Sequence, residues 1–553
     1  MKLVIVQTPS QAKTLTDVLG EGWRVEPCYG AVRDLPGDAL GIDVENDFRP
    51  TFAIVPGKGN LVRRLMKAIR ESEAVYAATA PNREGEALAW HLLALSPDAK
   101  DKPIYRVTLI ALTPDTIRTA FAAPRPLDMK QVEAHMTKRI VDRLIGWSVN
   151  AAARKMLGFK TAFSYDGMVA LRLLVERDHE IAAFTPQTTW HASVTFERDG
   201  VRFTAQVLNA KGAPLTMRNE EQASQLETLF QHGTFWVDKT GQTMKTLPAL
   251  GTLTLRRLIE TAEREFGLPP ERTLALVATL IEACWITHPD GVPLPDTSET
   301  AQAYIRREYG TDYVAPDVIV TSGIAPTDVN RIPEDLPGDG AALYALVWKH
   351  FIVAHMTPVQ ERITAARILV GASQGKPYPL ELRAMAVLPY FDGWRRVLPT
   401  PANDETLPLL KEGETLAIQQ IVIDTVTGEP PLSFTRTALA GALVDIGLTV
   451  QDASGAVEGL VTAAYVSGDD TLTLTENGRA VAQYLTESFD DLTSPGCAAE
   501  LAADLERITS GERERLDVLR AFWSRFGSSL RPTPAPRAIA EHKPIVLRPA
   551  EEV

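Results

Sequence analysis

Polar and apolar positions change period several times along this chain. Over the first ~120 residues short apolar runs, Leu3–Val6, Phe52–Val55, Val75–Thr79 and Ile104–Leu109, alternate with amphipathic segments beginning near Gln11, Asn60, Glu84 and Pro114. Runs this short predict buried strands, and the alternation predicts a layered α/β unit. Leu127 to Arg154 carries a helical period, as does Val169 to Ile181, until Ala182-Ala183-Phe184-Thr185-Pro186 breaks it. From Thr189 to Trp236 the period falls to two, with Trp190–Phe196 and Val201–Val207 predicting an antiparallel sheet. A helical block follows from Leu255 to about Tyr309, divided by Pro269-Pro270. Asp296 and Glu299 have the spacing of a capping box for its third helix. Ala341–His355 is a further helix, and Ile363–Val370 and Glu381–Val387 return to strands. Strands, helices, strands is the order expected of a helical domain inserted into a β domain. Phe434 to Glu506 reads as mixed α/β with a hairpin near Ser467-Gly468-Asp469-Asp470, and 531–553, proline-rich and aperiodic, reads as a flexible tail.

At 553 residues the chain exceeds one core, so several domains are expected. No apolar stretch approaches the roughly 20 residues needed to span a bilayer, and the N-terminus starts directly on a strand-like run rather than a secretion signal. Three cysteines far apart (Cys28, Cys284, Cys497) argue against a disulfide framework and exclude a four-cysteine zinc ribbon. The cytoplasm, with association to the nucleoid, is the expected compartment, and no membrane partner is expected.

The formal charge of −13 is unlike the basic balance usual in nucleic-acid binders. A basic groove can nevertheless sit on an acidic body. Between Thr137 and Lys160, six cations (Lys138, Arg139, Arg143, Arg154, Lys155, Lys160) face a single acid, Asp142. They form either a solvated helix face or a surface for phosphates. Val55-Pro56-Gly57-Lys58-Gly59-Asn60 lacks the spacing of a phosphate loop.

The most informative motif is Ala80-Pro81-Asn82-Arg83-Glu84-Gly85-Glu86, between a strand-like and a helix-like run. It resembles the Toprim motif D-P-D-R-E-G-E of type IA DNA topoisomerases. Val4-Ile5-Val6-Gln7-Thr8-Pro9-Ser10-Gln11-Ala12-Lys13-Thr14 resembles that family's V-E-S-P-A-K-A-K-T opening, and Gly30-Ala31-Val32-Arg33-Asp34-Leu35-Pro36 its G-H-x-R-D-L-P. Asp142-Arg143-Leu144-Ile145-Gly146-Trp147, Val169 to Arg177 and Pro326 to Leu336 resemble D-R-L-V-G-Y, V-A-L-R-L-I-V-E-R and P-T-D-V-x-R-T-P-E-D-L. The motifs occur in family order and extend to about Phe526.

The resemblance implies a multidomain α/β and α+β fold: a Toprim-like α/β domain (1–125) and a toroidal core. Within that core it implies a helical or mixed DNA-groove domain (126–185 and 432–530), a β gate domain (186–248 and 360–431) and a helical domain carrying the nucleophile position (249–359), before the tail (531–553). It also implies a chemistry that this sequence has largely lost. His288 falls where the family has its attacking tyrosine, and Asp290 where it has a phosphate-contacting arginine. Gln7 stands at the proton-transferring glutamate and Gln11 at the lysine that assists the leaving group. Ala80 and Asn82 stand at the metal aspartates, leaving Glu84 as the remnant of that set. One carboxylate and one amide make a poor magnesium site, since magnesium prefers several charged oxygens. No cofactor is therefore expected, magnesium entering only for a divergent enzyme. Arg83 and Glu84 read as a structural pair, and His288-Pro289-Asp290-Gly291 as a surface turn. Ala31, Ala111 and Tyr165 replace a histidine, a glutamate and an arginine, and Val320 to Thr327 lacks the family's histidine, glutamate and arginine together.

Fold-building positions match while reactive positions do not. The expectation is an inactive type IA topoisomerase homologue serving as a DNA-associated or protein-binding scaffold, with single-stranded DNA or an unidentified protein as partner. The alternatives are a divergent active topoisomerase, using His288 or Tyr165 with Glu84 and a relocated acid, and a protein-interaction module that does not bind DNA.

Overall fold

The strand Lys2–Val6 sets the architecture of the first lobe, because Leu3, Val4, Ile5 and Val6 are all fully buried. Leu3 and Ile5 enter one core with Val62, Leu65, Ile69 and Leu88. Val4 and Val6 enter another with Leu15, Tyr76 and Ile117, so helices cover both faces. The computed structural model describes residues 1–530, apart from 97–101, 159, 292–294, 317, 319, 321, 337, 339, 402–405 and 469–470. Lys2–Val6 pairs in parallel with Trp23–Pro27 on one side and Val75–Ala77 on the other, and Ile104–Arg106 completes a four-stranded sheet. The strand expected at Phe52–Val55 is not part of it. Only Ala53–Ile54 is extended there, and it pairs with Arg33–Asp34 outside the main sheet. The edge place belongs to Trp23–Pro27, whose Arg24–Glu26 pair hides it from a hydrophobicity reading.

The second lobe is built on two helices. Met129–Leu157 starts on an Asp128 cap and stops at Gly158, which takes the left-handed conformation; Tyr165–Ala183 follows it. Helices from Arg436 to Phe526 pack around both. This return segment was expected to be mixed α/β. It is helical, with strands of only two residues at Val466–Ser467 and Thr473–Leu474. Those strands pair antiparallel as the hairpin reading requires, although positions 469–470 of its turn lie outside the described residues. The expected tail, 531–553, also lies outside them.

The third lobe is a barrel of eight strands. Thr415–Leu416 pairs with Thr234–Leu247, and Ile418–Thr427 pairs with Thr188–Arg198, so the sheet closes on itself. Phe196, Phe230 and Phe235 fill it. Three long strands, Thr234–Leu247, Val359–Ser373 and Lys376–Phe391, run on as a ribbon towards the fourth lobe. That lobe holds the helices Leu255–Phe266, Pro270–Glu282, Pro295–Glu308 and Gly340–Ala354, the last buried along most of its length. The Asp296 capping box is not formed, since the helix already runs at Pro295 and Asp296 lies in its first turn. The fourth lobe returns to touch the first through the main chain of His288 and Ile110. The lobes therefore form a closed cycle. Among the described residues no helix is long and apolar enough to cross a membrane.

Candidate functional site

The loop 80–86 is shaped by demands of its own backbone. Asn82 caps the helix Arg83–Leu93, its Oδ1 accepting from the Gly85 amide at 3.0 Å. Position 85 must be glycine, because a Cβ there would lie 2.0 Å from the Ala80 carbonyl oxygen. Beneath the loop lies Arg106, fully buried, which donates to the carbonyls of Ala77 (3.0 Å), Val107 (2.6 Å) and Ala80. Its Nε meets Glu86 Oε1 at 2.8 Å, and Glu86 also accepts from Arg125 and from the Asp128 amide. Glu86 is thus the buried counter-ion of the loop's foundation. A lone arginine inside the apolar run 104–107 was the sequence signal for it.

Gln7 and Gln11 are placed beside this loop, and both serve backbone. Gln7 Oε1 accepts from the Ala80 amide at 2.8 Å. Gln11 and Thr8 form a reciprocal capping box at the head of Pro9–Leu19, Gln11 Oε1 accepting from the Gln7 and Thr8 amides at 3.0 and 3.3 Å.

The loop does not fit a magnesium ion. Ala80 presents a methyl group, and the Asn82 carbonyl oxygen is already accepting from Gly85. Glu84 is exposed at its outer edge, and desolvation first, then neighbouring Asp452, pushes its carboxyl above the usual range. Arg83 pairs with Asp452 at 3.6 Å, not with Glu84 as expected. Glu84 reaches towards a second acid, yet among the described residues no three acidic, histidine or cysteine groups converge on a metal position.

The turn that carries His288 reaches this loop through Asp290. The His288 amide donates to the Ile110 carbonyl at 2.7 Å, while the ring Nδ1 accepts from the Asp290 amide at 3.2 Å and faces Asp290 Oδ2 at 3.8 Å. Burial lowers the imidazole pKa and Asp290 opposes the shift. Gly291 donates to the His288 carbonyl at 2.9 Å, so the segment is a turn. It is exposed at Asp290 and also packs on the first lobe: a Cβ on Gly291 would lie 2.9 Å from Ile110 Cγ2. The contact that sequence reasoning missed is Asn82 Nδ2 to Asp290 Oδ2, 3.0 Å across 208 positions of chain. Tyr165, the other nucleophile considered, is only 1% exposed beside Cys497, and burial drives its hydroxyl pKa well above the ordinary value. It is closed to a phosphodiester.

Three of the six cations expected to line a groove are held by internal partners. Lys138 is clasped by Asp142 (2.7 Å) and Asp166 (2.9 Å). Arg139 makes a two-pronged contact with Asp34, and Arg143 donates to the carbonyls of Leu35, Pro36 and Ala39. Arg139 and Arg143 tie the long helix to the first lobe, and Lys138 ties it to the helix Tyr165–Ala183. Counting charges in sequence missed it because Asp34 and Asp166 come from other segments. Arg154, Lys155 and Lys160 are exposed.

Comparison with known proteins agrees with this architecture. Residues 126–520 match the DNA topoisomerase family and residues 2–112 the Toprim domain. The chain belongs to the type IA DNA topoisomerase family. DNA topoisomerase 1 of Zymomonas mobilis is 29% identical over 95% of this chain and 46% of its own length. DNA topoisomerase 1 of Pseudomonas aeruginosa is 29% identical over 96% of this chain and 66% of its own. This topoisomerase-family chain therefore spans about half to two thirds of those curated relatives. Full-length topoisomerase I from Thermotoga maritima superposes with a TM-score of 0.83 at 26% identity, covering 96% of this chain and 90% of that one. The Toprim domain and type IA core are both present.

Proposed function

We propose that this member of the type IA topoisomerase family has lost strand cleavage and religation and acts as a scaffold associated with DNA or with another protein. The observation that carries the reading is that the loop's groups already bond within the protein. The Asn82 oxygen caps a helix, Gln7 and Gln11 accept from backbone amides, and Glu84 is the sole carboxylate left at the family's metal positions. A magnesium-assisted attack needs charged oxygens free to hold the ion, and an attacking side chain aimed at phosphorus. The fold is meanwhile intact at its buried positions.

Negatively supercoiled plasmid incubated with the purified protein and magnesium should remain supercoiled, and labelled single-stranded DNA should not become covalently attached. Relaxation that His288→Ala abolishes would overturn the reading. The exposed Arg154, Lys155 and Lys160 favour DNA association. Three phosphate contacts to single-stranded DNA predict a log–log salt slope of about −2, which alanine at all three positions should flatten. Negligible affinity at low salt would leave the protein-binding scaffold. A divergent active enzyme is favoured by one observation, that the curated relatives bear the name DNA topoisomerase 1. The plasmid assay separates it from the scaffold.

A further inference from the structure

We propose that the family's cleavage junction has become a clasp in this chain, holding the first and fourth lobes together so that the ring stays shut. The two exchanged positions are the ones that touch. Asn82 stands for an aspartate and Asp290 for an arginine, and Asn82 Nδ2 donates to Asp290 Oδ2 at 3.0 Å. The Asn82 amide cannot turn away, because its Oδ1 is held by the Gly85 amide at 3.0 Å. A carboxylate at 82 would face the Asp290 carboxylate at the same distance and repel it. The amide therefore removes a metal ligand and supplies a donor to the opposite lobe in one exchange.

Three contacts reinforce this bond at the segment 110–112. Ile110 accepts the His288 amide at 2.7 Å. The Cys284 thiol donates to the Leu112 carbonyl at 3.2 Å. Ile110 also packs against Gly291 where no larger residue fits without displacement. Farther round the ring the same fourth lobe is tied to the second. Arg256 grips Asp445 with both terminal nitrogens, Arg436 meets Glu271 at 3.0 Å, and Thr435 donates to Glu263 at 3.3 Å. Separating the first and fourth lobes breaks every contact of the first set. The clasp rests on these contacts and not on the absence of cleavage, so it stands whichever way the plasmid assay falls.

Hydrogen–deuterium exchange on the full chain reads it directly, since the His288 amide is protected by the bond that would break. Asn82→Asp preserves a good helix cap but sets two carboxylates face to face. It should speed exchange roughly tenfold in peptides covering 284–291, which hold the His288 amide, with the barrel residues 192–207 unchanged. Asp290→Asn keeps an oxygen acceptor for the Asn82 amide and should exchange as wild type. The double variant Asn82→Asp/Asp290→Asn reverses donor and acceptor and should restore protection. Unchanged exchange in Asn82→Asp, or no recovery in the double variant, would overturn the clasp. If Asn82→Asp loosens the whole chain, Asp290→Ala decides, because it removes the acceptor without adding charge. A rise confined to the 284–291 peptides supports the clasp, and no rise refutes it.

Discussion

Glu86 shows how one side chain can belong to a family motif and serve structure. Its carboxylate is fully buried and accepts from Arg106, Arg125 and the Asp128 amide. Buried ion pairs contribute little net stability when intact, but removing one partner strands the other charge. Glu86→Gln should therefore cost about 3–5 kcal/mol, measured by urea unfolding, while exchanging the exposed Glu84 would cost far less. At this same scale the sequence was readable only in part. That Gln7, Gln11, Ala80 and His288 carry neither a carboxylate nor a phenol is plain from their identities. What they do instead is not, because Gln7 finds Ala80 across 73 positions and Asn82 finds Asp290 across 208. No local pattern encodes such pairs.

Among elements, the helix Arg83–Leu93 and the long helix Met129–Leu157 meet through two histidines, His91 and His135, that no local pattern marks. His91 accepts from Arg33 Nε at 2.7 Å, and that guanidinium lies over Phe52 and Trp90 at 4.9 and 4.8 Å. Burial above all, then Arg33 and His135, pushes His91 down to about 3, with Asp34 opposing. Burial, then Arg83, pushes His135 down to about 4, with Arg139 adding to the shift and Asp452 and Asp34 opposing. Both imidazoles are thus neutral when folded, whereas both titrate near 6.5 when unfolded. The stability they contribute is complete above that pH and is lost as pH falls towards 4. Asp166 works in the other direction: burial raises it to about 6 against the pull of Lys138, so the folded state keeps its proton from there down to the ordinary 3.8. Two protons refused against one retained leaves a net slope of one proton. From these three groups, stability should fall by about 1.4 kcal/mol per pH unit between pH 6 and 4. Urea unfolding at pH 7, 6 and 5 checks the sign, and His135→Asn should flatten the slope.

At the scale of the whole molecule, separate hydrophobic cores are joined by thin connections. The barrel core of Phe196, Phe230 and Phe235 is distinct from the core around the helix Gly340–Ala354, and a strand ribbon links their lobes. Large chains with several cores depart from two-state unfolding. Calorimetry should show at least two transitions, and Phe196→Ala, expected to cost about 3–5 kcal/mol, should lower one and leave the other in place. A single transition that moves as a whole would mean that the ring contacts couple the lobes more tightly than their cores suggest.

Periodicity found the doubly covered strand at Lys2–Val6, the long helix and the barrel strands, because burial on both faces, on one stripe or on alternate positions leaves a local mark. It mistook Phe52–Val55 for a sheet strand and missed Trp23–Pro27, because a charged edge strand carries no such mark. The sequence alone determined the family and the elements whose burial leaves a short-range period. Only the tertiary structure decided that Lys138, Arg139 and Arg143 bind inward, that Arg83 turns to Asp452, and that Asn82 meets Asp290. Hydrogen bonds and ion pairs act over a few ångströms, and which groups come that close is set by how distant segments pack.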